Sequence, residues 1–211
     1  MRNTRTSMAR RTALVAATVT AGLVLAACGS DGDDSGSGSG GTAPSSSASS
    51  AAAHNAQDVT FAQGMIPHHR QALEMARLAA GRASSAKVKD LAARIEKAQD
   101  PEIETMSGWL KSWSEDVPAS AESMPGMGHS AHSGMAGMMD SKDMAALKKA
   151  SGADFDTMFL TMMTEHHKGA VEMAGTEKDK GGYGPAKAMA DAIVTAQTAE
   201  ITEMNKLLGK S

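Results

Sequence analysis

Four histidines stand in two adjacent pairs, His68-His69 and His166-His167, and each pair has a methionine one helical turn ahead of it, Met65 and Met163. Imidazole is the commonest protein ligand for transition metals, and thioether sulfur adds the softness that suits Cu(I). One reading of these six residues is therefore a metal site. The other is a set of histidines at the edge of a core, hydrogen-bonded to polar groups on a facing element. The residues alone leave both readings open.

A second cluster lies between the pairs. Residues 124–139 read MPGMGHSAHSGMAGMM and contain Met124, Met127, His129, His132, Met135, Met138 and Met139. Neither a helical nor a strand period arranges these seven residues among the glycines, serines and alanines. Exposed methionines gain nothing from packing, whereas thioethers and imidazoles on a pliable backbone can wrap a soft ion such as copper or silver. The competing reading is a low-complexity loop that happens to be rich in methionine.

The histidine pairs belong to a stretch that the chain writes twice. Residues 61–76 (FAQGMIPHHRQALEMA) and 159–174 (FLTMMTEHHKGAVEMA) align at an offset of 98. Phe, Met, both histidines, two alanines, Glu and Met recur. The same offset pairs Ile95 with Ile193, Gln99 with Gln197, Glu102 with Glu200, Ile103 with Ile201, Met106 with Met204 and Leu110 with Leu208. A match this long indicates an internal duplication in which each half carries a His-His segment and a second apolar segment.

Helices must carry these segments. Aromatics make up only 3% of the chain, and Ala, Leu, Met, Lys, Glu and Gln dominate the region after residue 57. Asp58 is suited to cap a helix reaching about residue 80, and Ser84 or Ser85 to cap one over 86–113. A break with two prolines and several glycines spans 115–139. Asp140 or Ser141 opens a short helix to residue 150, and Asp154 or Asp156 a long one to about 176. Pro185 fits the first turn of a last helix ending near 208. Four long helices in two duplicated hairpins predict an all-α, ferritin-like four-helix bundle with a short extra helix in the central connection. Up-down-up-down threading would set the two His-His helices diagonally opposite and parallel. Pro67 and Pro101 interrupt the first repeat only, and the unbroken offset favours kinks over breaks.

At roughly 100° per residue, Met65, both histidines and Met75 share one broad apolar face. Glu74 and Glu172 fall opposite, where Arg70, Arg77 and Lys168 offer surface ion pairs worth a few tenths of a kcal/mol at about most. On the second helix of each hairpin the acids turn inward. Gln99 and Glu102, and again Gln197 and Glu200, lie within about 40° of the apolar face centred on Ile95 or Ile193. Buried polar groups need partners, and the histidines are the nearest candidates. A carboxylate or amide that holds a histidine's far ring nitrogen is the usual support of a metal-binding imidazole. The methionine stripe (Met65, Met75, Met106, Met163, Met173, Met204) reads first as core packing.

Ahead of this domain, residues 1–27 have a basic start (Arg2, Arg5, Arg10, Arg11) and a short apolar run, which is the pattern of a secretory signal. The run ends LAAC, similar to a bacterial lipobox, which implies cleavage before Cys28 and a lipid on its sulfur. Residues 28–57 read as a Gly/Ser/Ala tether and 58–211 as the folded domain. Cys28 is the single cysteine, so no internal disulfide can form. Losing the four arginines of the leader leaves 17 of the 21 basic residues against 24 acids, net −7. That balance speaks against nucleic acid as a partner and suits a cation-tolerant extracytoplasmic surface tethered to a membrane.

No E-x-x-H pair occurs, so the di-iron carboxylate pattern of some bundles is missing, as are a phosphate-binding glycine loop and a nucleophile elbow. The phrases MIPHHRQALEMA and MMTEHHKGAVEMA, with DMAALKKASGADFD ahead of the second, resemble the domain-of-unknown-function 305 family over about 58–208. The resemblance implies a secreted or lipid-anchored bacterial protein with a ferritin-like four-helix bundle. Some relatives are described as periplasmic copper-binding proteins, which implies copper handling through Met65, His68, His69, Met163, His166 and His167. Pro67 opposite Glu165 departs from a strict repeat and makes the half-sites unequal. Three functions are carried forward: a lipid-anchored protein that sequesters or transfers copper, with the protein partner open; a ferritin-like oxidoreductase using iron, manganese or copper; and a metal-free helical adaptor.

Overall fold

The computed structural model describes residues 53–119 and 135–210. Five helices follow in order: α1 (Ala56–Arg82), α2 (Ala86–Ser112), α3 (Ser141–Lys149), α4 (Gly152–Lys180) and α5 (Gly184–Leu207). No described helix is long and apolar enough to cross a membrane. The four long helices form two hairpins, α1–α2 and α4–α5, which meet along α1 and α4. This is the four-helix bundle read from the sequence. Pro67 and Pro101 lie inside α1 and α2 without ending either helix, and Pro185 occupies the first turn of α5.

Several caps differ from expectation. Asn55, not Asp58, caps α1; its side chain accepts from the amides of Gln57 and Asp58, while Asp58 reaches back to the Asn55 amide in a capping box. Ser85 caps α2 and Asp140 caps α3, as expected. Ser151 occupies the cap position of α4, and neither Asp154 nor Asp156 does.

Asp58 and Asp156 instead serve the opposite hairpin. Asp58 accepts from the backbone amides of Gly182 (3.1 Å) and Tyr183 (2.9 Å), at the start of α5. Asp156 accepts from those of Ser84 (3.2 Å) and Ser85 (2.9 Å), at the start of α2. The offset of 98 maps 58 to 156, 84 to 182 and 85 to 183, so these are one interaction made twice. A carboxylate beside exposed helix N–H groups is favourable for the dipole reason as well as for the hydrogen bonds.

Such reciprocity requires a two-fold axis between the halves. It also corrects the threading. The start of α1 faces the end of α4, as Asp58 does Gly182, and the end of α1 bridges to the start of α4, Ala83 to Gly152. The two His-His helices therefore run antiparallel, not parallel. α2 ends beside the start of α1, where Trp113 stacks on His54 at 4.4 Å between ring centroids. The connection from α2 to α4 must then travel the length of the bundle, and α3 lies near its far end. A long crossover of this kind makes consecutive hairpins antiparallel through their first helices.

Two apolar clusters fill the core. Phe61, Met65, Ile66, Met106, Leu110, Ala170, Ala174 and Ile193 belong to one. Ala72, Met75, Leu91, Ile95, Phe155, Phe159, Met163 and Met204 belong to the other. Five of the six stripe methionines are fully buried, each contributing about 1.5–3 kcal/mol of apolar burial, and Met173 is partly buried against the first cluster. The exposed charges pair outside the expected local set. Glu74 meets Lys148 of α3 at 2.5 Å, Arg77 meets Glu96 of α2, and Lys168 meets Glu165 rather than Glu172. Partners from neighbouring helices compete with those one turn away, and exposed pairs of either kind are weak.

Candidate metal centre

The histidines occupy the waist between the two apolar clusters. His68 and His166 touch, with ring centroids 3.7 Å apart and the rings tilted 37° to one another. They are repeat equivalents, and a residue that contacts its own equivalent lies on the two-fold axis. All four imidazoles are buried, at 0–1% exposure. The duplication thus brings two copies of one dipeptide to a single point, something neither half could build alone.

The inward glutamates do what their helix face suggested. Glu102 Oε2 lies 2.7 Å from His69 Nε2, and Glu200 Oε2 lies 2.8 Å from His167 Nε2. A carboxylate only accepts, so each Nε2 carries a hydrogen, and in the neutral imidazole that tautomer leaves the lone pair on Nδ1. The glutamines do not follow. Gln99 and Gln197 are buried, but their Oε1 atoms find no partner and do not hold a histidine.

On the other side of the axis, His68 Nε2–H donates to the Ala136 carbonyl at 3.3 Å, which again leaves Nδ1 free. His166 has no partner on either nitrogen. Five of the eight ring nitrogens (Nδ1 of His68, His69 and His167 and both of His166) are thus buried without a hydrogen bond. Each such atom costs on the order of 1–3 kcal/mol unless something fills the vacancy in its bonding. Burial pushes the His68 pKa down to about 3, and burial with the neighbouring histidines pushes His166 well below its ordinary value. Both rings are therefore neutral at physiological pH, the state in which imidazole binds metal.

The methionines are split. Met65 packs in the cluster on one side of the waist and Met163 in the cluster on the other, each a turn from its own histidines. The structure thus brings the four histidines together and sets the two thioethers at opposite ends of them. Among the described residues no three His, Cys, Asp or Glu side chains converge tightly enough to hold a metal by themselves.

Residues 135–139, the end of the Met/His cluster, lie across the seam of α1 and α4. Gln71 clamps Met139 from both sides: Nε2–H donates to the Met139 carbonyl at 2.9 Å, and Oε1 accepts from its amide at 2.8 Å. Gly137 has φ +80°, and a Cβ there would come within 2.6 Å of the Glu165 carbonyl. Gly169 meets this strap of residues 135–139 from α4, and a Cβ on it would overlap the Ala136 carbonyl. Met135 lines a cavity of about 220 Å³ with Phe61, Gly64 and Met173, Met138 is half-buried, and Met139 packs on the second apolar cluster. Met124, Met127, His129, His132 and Cys28 lie outside the described residues. Sequence reasoning missed Gln71, Gly169 and Ala136. Their one signal was a mismatch, Gln against Gly at equivalent positions of the repeat.

A further buried pair closes the end of the bundle. Glu177 is fully buried against Asp58. Burial, and then the Asp58 carboxylate, push the Glu177 pKa up to about 8. For Asp58, burial raises the pKa, but the groups that hydrogen-bond it, including the Asn55, Tyr183 and Gly182 amides, hold it below the usual value. The proton of the pair therefore sits on Glu177.

Comparison with known proteins agrees with this architecture. No curated protein matches the chain. Among solved structures, a DUF305 protein from Streptomyces coelicolor is 34% identical, covering 73% of this chain and 93% of its own with a TM-score of 0.65. A DUF305 fragment from Deinococcus radiodurans is 30% identical, covering 75% and 99%, with a TM-score of 0.64. CopM in its Cu(II)-bound form is 34% identical, covering 72% and 95%, with a TM-score of 0.62, and CopM is also solved in Cu(I)- and Ag-bound forms. The model of the domain of unknown function DUF305 matches residues 58–208, the two hairpins and the connection between them, and this chain belongs to that family.

Proposed function

We propose that this chain is an extracytoplasmic, lipid-anchored copper-binding protein that sequesters Cu(I)/Cu(II) or hands it on. The observation that carries the reading is the waist: four buried histidines related by a two-fold axis through His68 and His166, with five ring nitrogens lacking any hydrogen bond. A polar core built only for stability would pair these atoms, because leaving them unpaired is costly. Glu102 and Glu200 hold the far nitrogens of His69 and His167, which orients Nδ1 and raises its basicity toward a metal. The Met/His segment 124–139 offers soft ligands by composition, and its described end, residues 135–139, lies beside the waist. The copper- and silver-bound states of CopM support the same chemistry in a similar chain. The lipid on Cys28 and the leader of residues 1–27 rest on the sequence pattern.

An oxidoreductase of the ferritin-like kind needs carboxylate ligands and an open coordination position. Here the two inward carboxylates are engaged with histidines, which favours binding over turnover. The test is a Cu(I) competition titration on residues 54–211, beside a variant lacking 124–134 and one with all four waist histidines replaced by Gln. The expected result is binding tighter than about micromolar that the histidine variant loses, a difference of several kcal/mol. Equal binding by the histidine variant would move the site to the Met/His segment, and no binding by any of the three leaves a metal-free adaptor.

A further inference from the structure

We propose that residues 135–139 are the closing element of the histidine waist, and that Gln71 and Gly169 are positioning residues that seat it. The metal-exchange part of this proposal rests on the copper-binding reading; the access part does not. Three contacts pin the strap within five residues. Ala136 accepts from His68, Gly137 approaches the Glu165 and His166 carbonyls, and Met139 is held twice by Gln71. Two glycines make the fit possible. Gly137 adopts a positive φ that other residues rarely take, and Gly169 leaves room for the Ala136 carbonyl.

Positions 71 and 169 are equivalent in the repeat, yet one carries a long amide and the other no side chain. A duplicated bundle presents two equivalent rims to a connection that exists once. The connection can dock on the axis only if the rims differ, one gripping and the other yielding. That difference is what the sequence shows. The strap covers the seam where His68 and His166 meet, whereas His69 and His167 are backed by Glu102 and Glu200. An ion approaching His68 and His166 from the seam must displace the strap. The Ala136 carbonyl also fixes the His68 tautomer with Nδ1 free, so the closed strap leaves a donor ready beneath it.

Histidine acylation by diethyl pyrocarbonate, mapped by peptide mass, tests access without metal. In the metal-free protein His68 and His166 should react far more slowly than the exposed His54. Gly169→Ala should raise the reactivity of both by about tenfold or more through local opening, and Gln71→Ala should raise it by a smaller factor with the fold intact by circular dichroism. Unchanged reactivity in Gln71→Ala, or rapid reaction in the parent protein, overturns the proposal. In the metal arm, Ag(I) release to a chelator should speed up in the same order. Altered acylation with no silver bound by any variant keeps the closure and removes the copper reading. Silver release unchanged while acylation rises removes the strap from the exchange route.

Discussion

The two sides of the waist follow different rules. Toward α2 and α5 the site obeys its symmetry: His69 to Glu102 and His167 to Glu200 differ by 0.1 Å. Toward the strap it does not: His68 has a carbonyl partner and His166 has none. Elements that were duplicated keep the two-fold, and the single connection breaks it. A duplicated fold therefore yields paired histidines whose members are chemically unequal. His166, with both ring nitrogens free, is the more available of the axial pair.

The largest expected effect comes from breaking that inequality. His166→Gln should weaken copper binding more than His68→Gln, and the double replacement should exceed the roughly 10–100-fold loss that supporting residues cost. Competition titrations on the three variants decide it, and equal single effects would show that the strap does not differentiate the rings.

Next come the glutamates. Glu102→Gln and Glu200→Gln should each lower affinity by about 10–100-fold, and by the same factor. Isothermal titration is the check, and a large disparity would mean the metal sits off the axis.

The pH dependence of the metal-free protein separates the waist from the bundle end. The unfolded chain takes up protons on histidine below about pH 6.5, which the folded His68 refuses down to about 3 and the buried His166 refuses well below its ordinary range. Their contribution is full above 6.5 and falls with acid. Glu177 behaves oppositely: unfolded it loses its proton near 4.5, folded it keeps it to about 8, so its contribution is full below 4.5 and lost as pH rises to about 8. Two histidines outweigh one glutamate between 4.5 and 6.5. Thermal melts should therefore show a maximum near pH 6.5, and Glu177→Gln should flatten the profile between about 6.5 and 8 and steepen its rise between about 4.5 and 6.5. A melting temperature still rising from pH 6.5 to 8 would contradict the buried proton on Glu177.

The smallest effect tests the cross-caps. Asp156→Asn and Asp58→Asn remove equivalent helix-start interactions, each worth about 1 kcal/mol. Melting temperatures should drop by about 2–4 °C per kcal/mol, with Asp58→Asn departing from its twin because Glu177 adjoins it. Identical curves would leave Glu177 without influence on the cap.

Much of this was legible in the chain. The helical period of residues 61–76 and 159–174 placed all four histidines inward, and the inward turn of Glu102 and Glu200 identified their partners before any fold was known. These are properties of one helix at a time, fixed by 100° per residue. The glutamines were misread by the same arithmetic, because facing the core does not say which neighbour is met there.

The sequence by itself determined the helices, their buried faces and the fact of duplication. Tertiary structure decided how the copies meet. A repeat fits a parallel or an antiparallel pairing equally well, and the choice depends on a connection long enough to run the length of the bundle. That choice put His68 on His166, split Met65 from Met163, turned Asp58 and Asp156 into caps of the opposite hairpin, and laid residues 135–139 across the seam. Each of these joins residues several helical turns or more apart in the chain, where local periodicity carries no information and only packing among whole elements can choose.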